Sequence, residues 1–334
     1  MVQDTPVASV GKSLTREEFP SWKRKKSWIA LGKLFVSTVL IYWVIRTTEL
    51  DQIFNAVHSA DIELILVAYL MLFIGHLLSV LRWRVLLRAQ GFDSPTTRLF
   101  GSYMIGIFFN NFLPSTIGGD SFRAYDSWKI GNNKEKAVAV ILVDRLFGVL
   151  ALFIFAVSTL VFAGVLLKNM PFLSIWVMPG ILLFGFGILT VILAKGAPDR
   201  RERLPLRLWT KVVTIFKRIV NELLFFQNKK GALIKALVFS VLLQANVILH
   251  YFIISKALGL LIPLSSFFLL IPVCLFVMMI PVSINAIGIR ENIFALLFVQ
   301  LGASRADAIA LAWIAYGLVV VQGILGGIVY GLRR

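Results

Sequence analysis

The sequence predicts an all-α, polytopic transmembrane bundle, and three observations predict it. Of the 334 residues, 58% are hydrophobic and only 15% charged, well below the roughly one quarter of charged residues in soluble proteins. Six stretches, residues 99–119, 146–167, 171–194, 236–255, 257–289 and 308–332, contain no Asp, Glu, Lys or Arg. About 20 apolar residues cross a bilayer core as a helix. The stretches are apolar on every face rather than alternating, which argues against a β-barrel and for helices that satisfy their own backbone polar groups in lipid.

The net charge of +17, from 34 Lys plus Arg against 17 Asp plus Glu, also admits a nucleic-acid reading. The basic residues stand between the apolar stretches, however, where they orient a membrane protein, so no nucleic acid is expected as a partner. Residues 1–26 form a polar, basic tail ending in Lys23, Arg24, Lys25 and Lys26 beside Trp22 and Trp28. This reads as a cytoplasmic interfacial anchor rather than a cleaved signal. Residues 27–334 read as one integral membrane domain of an inner (plasma) membrane.

A first span over 28–45 leads to an acid-bearing loop with Glu49, Asp51, Asp61 and Glu63, and a second over 62–81 returns to Arg82, Arg84, Arg88 and Arg98. By the basic-residue bias, the first loop is external and the second cytoplasmic. A simple third crossing would then carry Arg123, Lys129, Lys134 and Lys136 outside. Residues 99–120 instead predict a re-entrant hairpin, broken at Asn110-Asn111-Phe112-Leu113-Pro114-Ser115-Thr116-Ile117-Gly118-Gly119. Such backbone is tolerated at membrane depth only where protein or water covers it. Spans at 137–167 and 171–194 follow, then a basic segment at 195–230 whose Trp209, Val212, Phe216, Ile219 and Leu223 recur at helical spacing, as in an interfacial amphipathic helix.

Residues 233–255 and 308–332 read as crossings, the last ending inside at Arg333 and Arg334. Between them, residues 261–304 break at Pro281-Val282-Ser283-Ile284-Asn285-Ala286-Ile287-Gly288. This stretch is either a second hairpin opened from the external side or ordinary spans, giving about six full spans plus two hairpins, or about eight spans. Both breaks combine Pro, hydroxyl residues and Gly with a following acid and base: Asp120 and Arg123 in the first, Arg290 and Glu291 in the second. Paired broken elements point to an inverted repeat with a site near the midplane.

The chemistry expected there is that of a polar route. Asn110, Asn111, Ser115, Thr116, Ser283 and Asn285 supply uncharged lining. Arg123 and Arg290 either contact an anionic phosphate or neutralise Asp120 and Glu291. Asp144 and Arg145 interrupt an otherwise apolar span, which demands partners or water. Gly323, Gly327 and Gly331 suit close helix packing, and His76 and His250 suit hydrogen-bonded positions within spans. Cys274 is the lone cysteine, and no motif calls for a metal or a nucleotide, so no cofactor is expected.

Asn111-Phe112-Leu113-Pro114 with Gly118-Gly119-Asp120 and Arg123, Asp144-Arg145 with Gly148, Pro281-Val282-Ser283 with Gly288-Ile289-Arg290-Glu291, and Arg82-Trp83 together resemble the lysylphosphatidylglycerol synthase transmembrane-region family of flippase-like membrane proteins. The resemblance covers nearly all of residues 28–332. One departure is Asn285-Ala286-Ile287-Gly288, where the family pattern leads one to expect a glycine soon after the asparagine. In the family's aminoacyl-phospholipid synthases a soluble catalytic domain follows the membrane region. The chain ends at Arg334, so the resemblance implies a lipid-translocating module without synthase activity, with a separate lipid-modifying enzyme as a partner.

The expected function is therefore movement of a phospholipid, an aminoacyl phospholipid or a lipid-linked precursor between leaflets. Two alternatives stand beside it. One is a membrane-embedded enzyme or enzyme subunit, with Asp120 and Asp144 as its carboxylates. The other is an ion-coupled carrier of a small solute.

Overall fold

The computed structural model describes Tyr42 and residues 50–112, 118–162, 224–279 and 283–333. The polar tail, all of the first expected span but Tyr42, the span at 171–194 and nearly all of the basic segment lie outside the described residues. Within them the chain forms nine α-helices: α1 (Leu50–His58), α2 (Ile62–Ala89), α3 (Thr96–Phe112), α4 (Gly118–Gly131), α5 (Lys134–Phe162), α6 (Lys230–Ala257), α7 (Leu264–Met278), α8 (Ile289–Phe298) and α9 (Arg305–Leu332). Among the described residues, α2, α6, α9 and the 134–155 part of α5 are long and apolar enough to cross a membrane.

Local chemistry sets where these helices begin. The Asp61 carboxylate accepts from the backbone N–H groups of Glu63 and Leu64, and the Ser304 hydroxyl accepts from that of Asp307. Each satisfies donors that a helix start leaves unpaired. α2 and α6 then lie antiparallel along their length. The pairing is fixed by Asp61 N–H to the Ala257 carbonyl, His250 Nδ1–H to the Ala68 carbonyl, Asn246 Nδ2 to the Met71 carbonyl and Arg82 to Ser240.

These contacts define two ends of the bundle. At one end lie the α2–α3 loop, the α4–α5 turn, the start of α6 and the end of α9. Phe92 packs on Gly131 there, and Arg333 donates to the Ser102 hydroxyl and the Arg98 carbonyl. At the other end lie the α1–α2 turn, residues 258–263 and the start of α9.

α3 and α4 are two antiparallel arms, since Asn110 meets Gly119 and Ser102 meets Asp126. The first hairpin is thus present, but its return arm runs on to Gly131 rather than leaving near Asp120. The second stretch, 261–304, also forms a helical hairpin. α7 and α8 have 15 and 10 residues, about 22 and 15 Å long, each short of a crossing. Phe267 of α7 packs edge-on against Phe298 of α8, 5.3 Å between ring centres.

Glycine lets the first hairpin approach α9. A Cβ on Gly326 would stand 2.0 Å from the Met104 carbonyl oxygen, and one on Gly327 would stand 2.9 Å from the Phe108 ring. Gly331, of the small-residue stripe read in the sequence, has nothing within 4 Å among the described residues. The tightest contact thus belongs to Gly326, outside that stripe.

Candidate functional site where two helical hairpins meet

The two hairpins approach α9 from opposite ends. α3 follows α9 from Arg333 inward until Asn111 Nδ2 donates to the Val319 carbonyl, 3.1 Å away. α8 packs at the start of α9, with Ala295 clustering with Ala306, Ile309 and Ala310. Its hairpin tip reaches Tyr316, where Asn285 Nδ2 donates to the phenolic oxygen at 3.1 Å and the Arg290 guanidinium lies 4.1 Å above the ring centre. Three residues of helix, about 4.5 Å of rise, separate the two docking points. Both stand near the middle of a 28-residue helix.

At the first tip the amides do structural work. Asn110 Oδ1 accepts from the Gly119 N–H at 2.8 Å, so the outgoing arm caps the returning helix. Asn111 is spent on Val319. Ser115 and Thr116, read from the sequence as lining, lie outside the described residues.

Beyond the tip, α4 carries charge into the bundle. Asp144, 1% exposed and about 15 Å along α5 from Lys134, accepts from Arg82 Nε at 2.6 Å and from Arg123 Nη2 at 3.0 Å. Arg82 Nη1 also donates to the Ser240 hydroxyl at 2.9 Å. Arg123 Nη1 lies 3.5 Å from Asp120, and Arg145 Nε donates to the other Asp120 oxygen at 2.5 Å. The Arg123 guanidinium also sits over the rings of Trp83 and Tyr103, 4.6 and 5.1 Å from their centres. The result is one chain alternating in sign through α2, α5 and α4: Arg82, Asp144, Arg123, Asp120, Arg145. Opposite charge and cation–π contact are what make such groups tolerable away from water.

The second tip is built differently. Asn285, Ala286 and Gly288 have φ of 54°, 57° and 85°, so the chain turns through the left-handed region. Only glycine adopts that region without steric cost. Ala286 therefore carries a Cβ in a conformation that strains it. Ala286→Gly is expected to raise stability by about 0.5–1 kcal/mol and Ala286→Val to lower it by about 1–2 kcal/mol, as read by thermal unfolding in detergent. The Glu291 carboxylate accepts from the Gly288 N–H at 2.7 Å, and Arg290 Nη2 donates to the Asn285 carbonyl at 3.0 Å. Among the described residues no carboxylate pairs with Arg290.

Of the predicted site residues, the structure gathers Asn110, Asn111, Asp120, Arg123, Asp144 and Arg145 around the first hairpin. It gathers Ser283, Asn285, Arg290 and Glu291 at the tip of the second, and α9 connects the groups. The sequence places the second span over 62–81 and Arg82 in the basic loop that follows. The helix instead continues to Ala89, with Val80, Trp83, Leu86 and Leu87 buried, because that apolar spacing sustains the helical face. Arg82, Ser240, Trp83, Tyr103 and Tyr316 are thus additions. His76 Nε2 meets Gln322 Oε1 from α9, and both histidines are hydrogen-bonded as expected.

Comparison with known proteins places this arrangement. The sequence profile described as "Lysylphosphatidylglycerol synthase TM region" matches residues 30–326. The chain belongs to this family. Similar proteins include a UPF0104 membrane protein of Methanocaldococcus jannaschii, 23% identical over 212 residues that cover 59% of this chain and 62% of that protein. Another UPF0104 membrane protein, from Methanothermobacter thermautotrophicus, is 29% identical over 135 residues, covering 40% of this chain and 38% of its own. The chain thus spans less than two thirds of the length of either relative. As a member of the lysylphosphatidylglycerol synthase TM-region family it is a multi-pass membrane protein.

Proposed function

We propose that this chain moves a phosphate-bearing lipid between membrane leaflets, the headgroup passing the two hairpin tips at mid-α9 while the acyl tails stay in the bilayer. The observation that carries the reading is the convergence of oppositely directed hairpins on Tyr316 and Val319. A broken helix offers polar groups at a depth where lipid offers none, and two breaks reached from opposite ends suit alternating access.

The ends differ in charge. Arg84, Arg88, Arg98, Lys129, Lys134, Lys136, Lys229, Lys230 and Arg333 cluster at the end holding the base of the first hairpin, so we place that end and the carboxyl terminus in the cytoplasm of a cell with an inner membrane. The apolar groove of about 370 Å³ between α1 and α9, lined by Ile53, Phe54, Val57, Trp313 and Ile314, suits an acyl chain and not a headgroup.

Transport is favoured over lipid chemistry because both candidate catalytic acids are already engaged. Asp144 holds two arginines, and Asp120 holds Arg123 and Arg145. The reading is tested by reconstituting the protein into liposomes with fluorescent phospholipids and quenching the outer leaflet. Faster loss of protected signal than in empty liposomes is expected. Identical kinetics for every phospholipid tested would refute it.

A further inference from the structure

The two breaks look alike in sequence, yet their arginines differ in what surrounds them. Arg123 has its two terminal nitrogens on Asp144 and Asp120, with Nε alone lacking a hydrogen-bond partner among the described residues, and its guanidinium lies over the Trp83 and Tyr103 rings. It is a strut joining α4 to α5. Arg290 is 6% exposed and has one terminal nitrogen on the Asn285 carbonyl, while Nη1 is buried without a hydrogen-bond partner among the described residues. Ser283, 4% exposed in the same turn, has a hydroxyl that is likewise buried without a partner among the described residues. The adjacent acid, Glu291, is committed to the Gly288 N–H and, one residue along the helix, does not face Arg290.

A buried guanidinium with a nitrogen to spare and, among the described residues, no carboxylate paired to it calls for an anion, since an unpaired buried charge is strongly unfavourable. Two features of the tip point to the same kind of ligand. The Tyr316 ring and the Asn285 carbonyl hold the guanidinium, leaving Nη1 to donate. The Ser283 hydroxyl supplies a second kind of donor, the usual complement of arginine at phosphate oxygens.

We propose that Arg290 Nη1 and the Ser283 hydroxyl form a phosphate-binding subsite at the second hairpin tip, and that Arg123 has no part in it. The inference deepens the lipid-translocation reading and rests on it for the source of the phosphate, either a phospholipid headgroup or free phosphate. Selectivity then follows: a phosphodiester lipid binds, and a glycolipid or diacylglycerol of the same tails does not. The second hairpin becomes the recognition element, and the first a braced partner.

The test is native mass spectrometry of the purified full chain with phosphatidylglycerol, with diacylglycerol of matched tails, and with added inorganic phosphate. Wild-type protein is expected to retain phosphatidylglycerol over diacylglycerol. Arg290→Gln should weaken that retention roughly tenfold or more and Ser283→Ala several-fold, as expected for charge-assisted hydrogen bonds. Thermal unfolding checks that each variant is folded; should Arg290→Gln fail to fold, Ser283→Ala and Arg290→Lys carry the test. Displacement of phosphatidylglycerol by millimolar phosphate identifies the shared anion site, whereas lipid selectivity without displacement assigns the subsite to headgroups.

Equal retention of the two lipids by wild type, or undiminished phosphatidylglycerol binding by Ser283→Ala and folded Arg290 variants, overturns the proposal. Arginine-dependent binding in a protein that fails to move lipid would sink translocation and leave the subsite standing. Lipid movement unaffected by Arg290→Gln would do the reverse.

Discussion

Asp144→Ala is expected to remove about 3–5 kcal/mol of stability, the range for breaking a buried ion pair by deleting one partner, and to leave little folded protein in detergent. The carboxylate is 1% exposed and accepts from Arg82 and Arg123 at once. Deleting it leaves two guanidinium groups facing each other across a small apolar gap, with Asp120 as the remaining acid of the cluster. Because α2, α4 and α5 all meet at this side chain, the damage spreads to the base of the first hairpin. Asp120→Asn should cost less, since one of its partners, Arg145, has a side chain 53% exposed and can turn toward other polar groups. A double-mutant cycle of Asp144→Ala with Arg123→Met, followed by thermal unfolding, measures the coupling. The double variant is expected to be more stable than Asp144→Ala alone, because it removes one orphaned charge. If Asp144→Ala unfolds as the parent protein does, the cluster does not brace the hairpin.

Closing the arms of the first hairpin on each other should be as sensitive to a single methyl group. A Cβ at Gly119 would lie 2.2 Å from the Gly106 carbonyl oxygen and 2.7 Å from the Asn110 amide, and one at Gly326 would lie 2.0 Å from the Met104 carbonyl oxygen. Backbone oxygens cannot rotate aside, so α3 must separate from α4 or from α9. Gly119→Ala and Gly326→Ala are each expected to cost about 1–3 kcal/mol by overpacking. Gly326→Leu should detach α3 from α9 outright. Gly331→Ala is the control: with nothing within 4 Å among the described residues, it should be neutral or gain up to about 1 kcal/mol from helix propensity. Thermal unfolding of the three alanine variants in one detergent separates these outcomes, and equal behaviour of Gly326→Ala and Gly331→Ala would rule out close packing as the reason for glycine at 326.

Much of this architecture is legible in the sequence because membrane insertion leaves few options. Uninterrupted apolar runs give the spans, and the Pro, Gly and amide residues give the two breaks, since broken backbone at depth needs those residues and their cover. The basic-residue bias gives the first hairpin and its side of entry but leaves residues 261–304 as either a hairpin from the other side or ordinary spans; the contacts of α8 with the start of α9 decide for the hairpin. What could not be read is which polar side chains pair with which. The two arginines sit in similar motifs, and only the third dimension reveals that Arg123 is neutralised by Asp144 from another helix while Arg290 rests on Tyr316. Arg82 was missed for a related reason: a charge counted as a loop marker is also a residue that a long side chain can bury when an acid waits 62 positions later. The left-handed Asn285 and Ala286 were partly foreseeable, since the missing glycine marks where the turn is strained.

The central claim, two hairpins reaching α9 from opposite faces of the membrane, is tested most directly at their bases. Asp93, with a side chain 74% exposed, lies in the loop leading to the first hairpin, and Leu261, 94% exposed, leads to the second. With the buried Cys274 replaced by Ser, Asp93→Cys and Leu261→Cys are labelled by a membrane-impermeant maleimide in right-side-out and in inverted vesicles. Opposite labelling is predicted, with Leu261→Cys reacting in right-side-out vesicles and Asp93→Cys in inverted ones. Reaction of both cysteines from the same face would contradict the account.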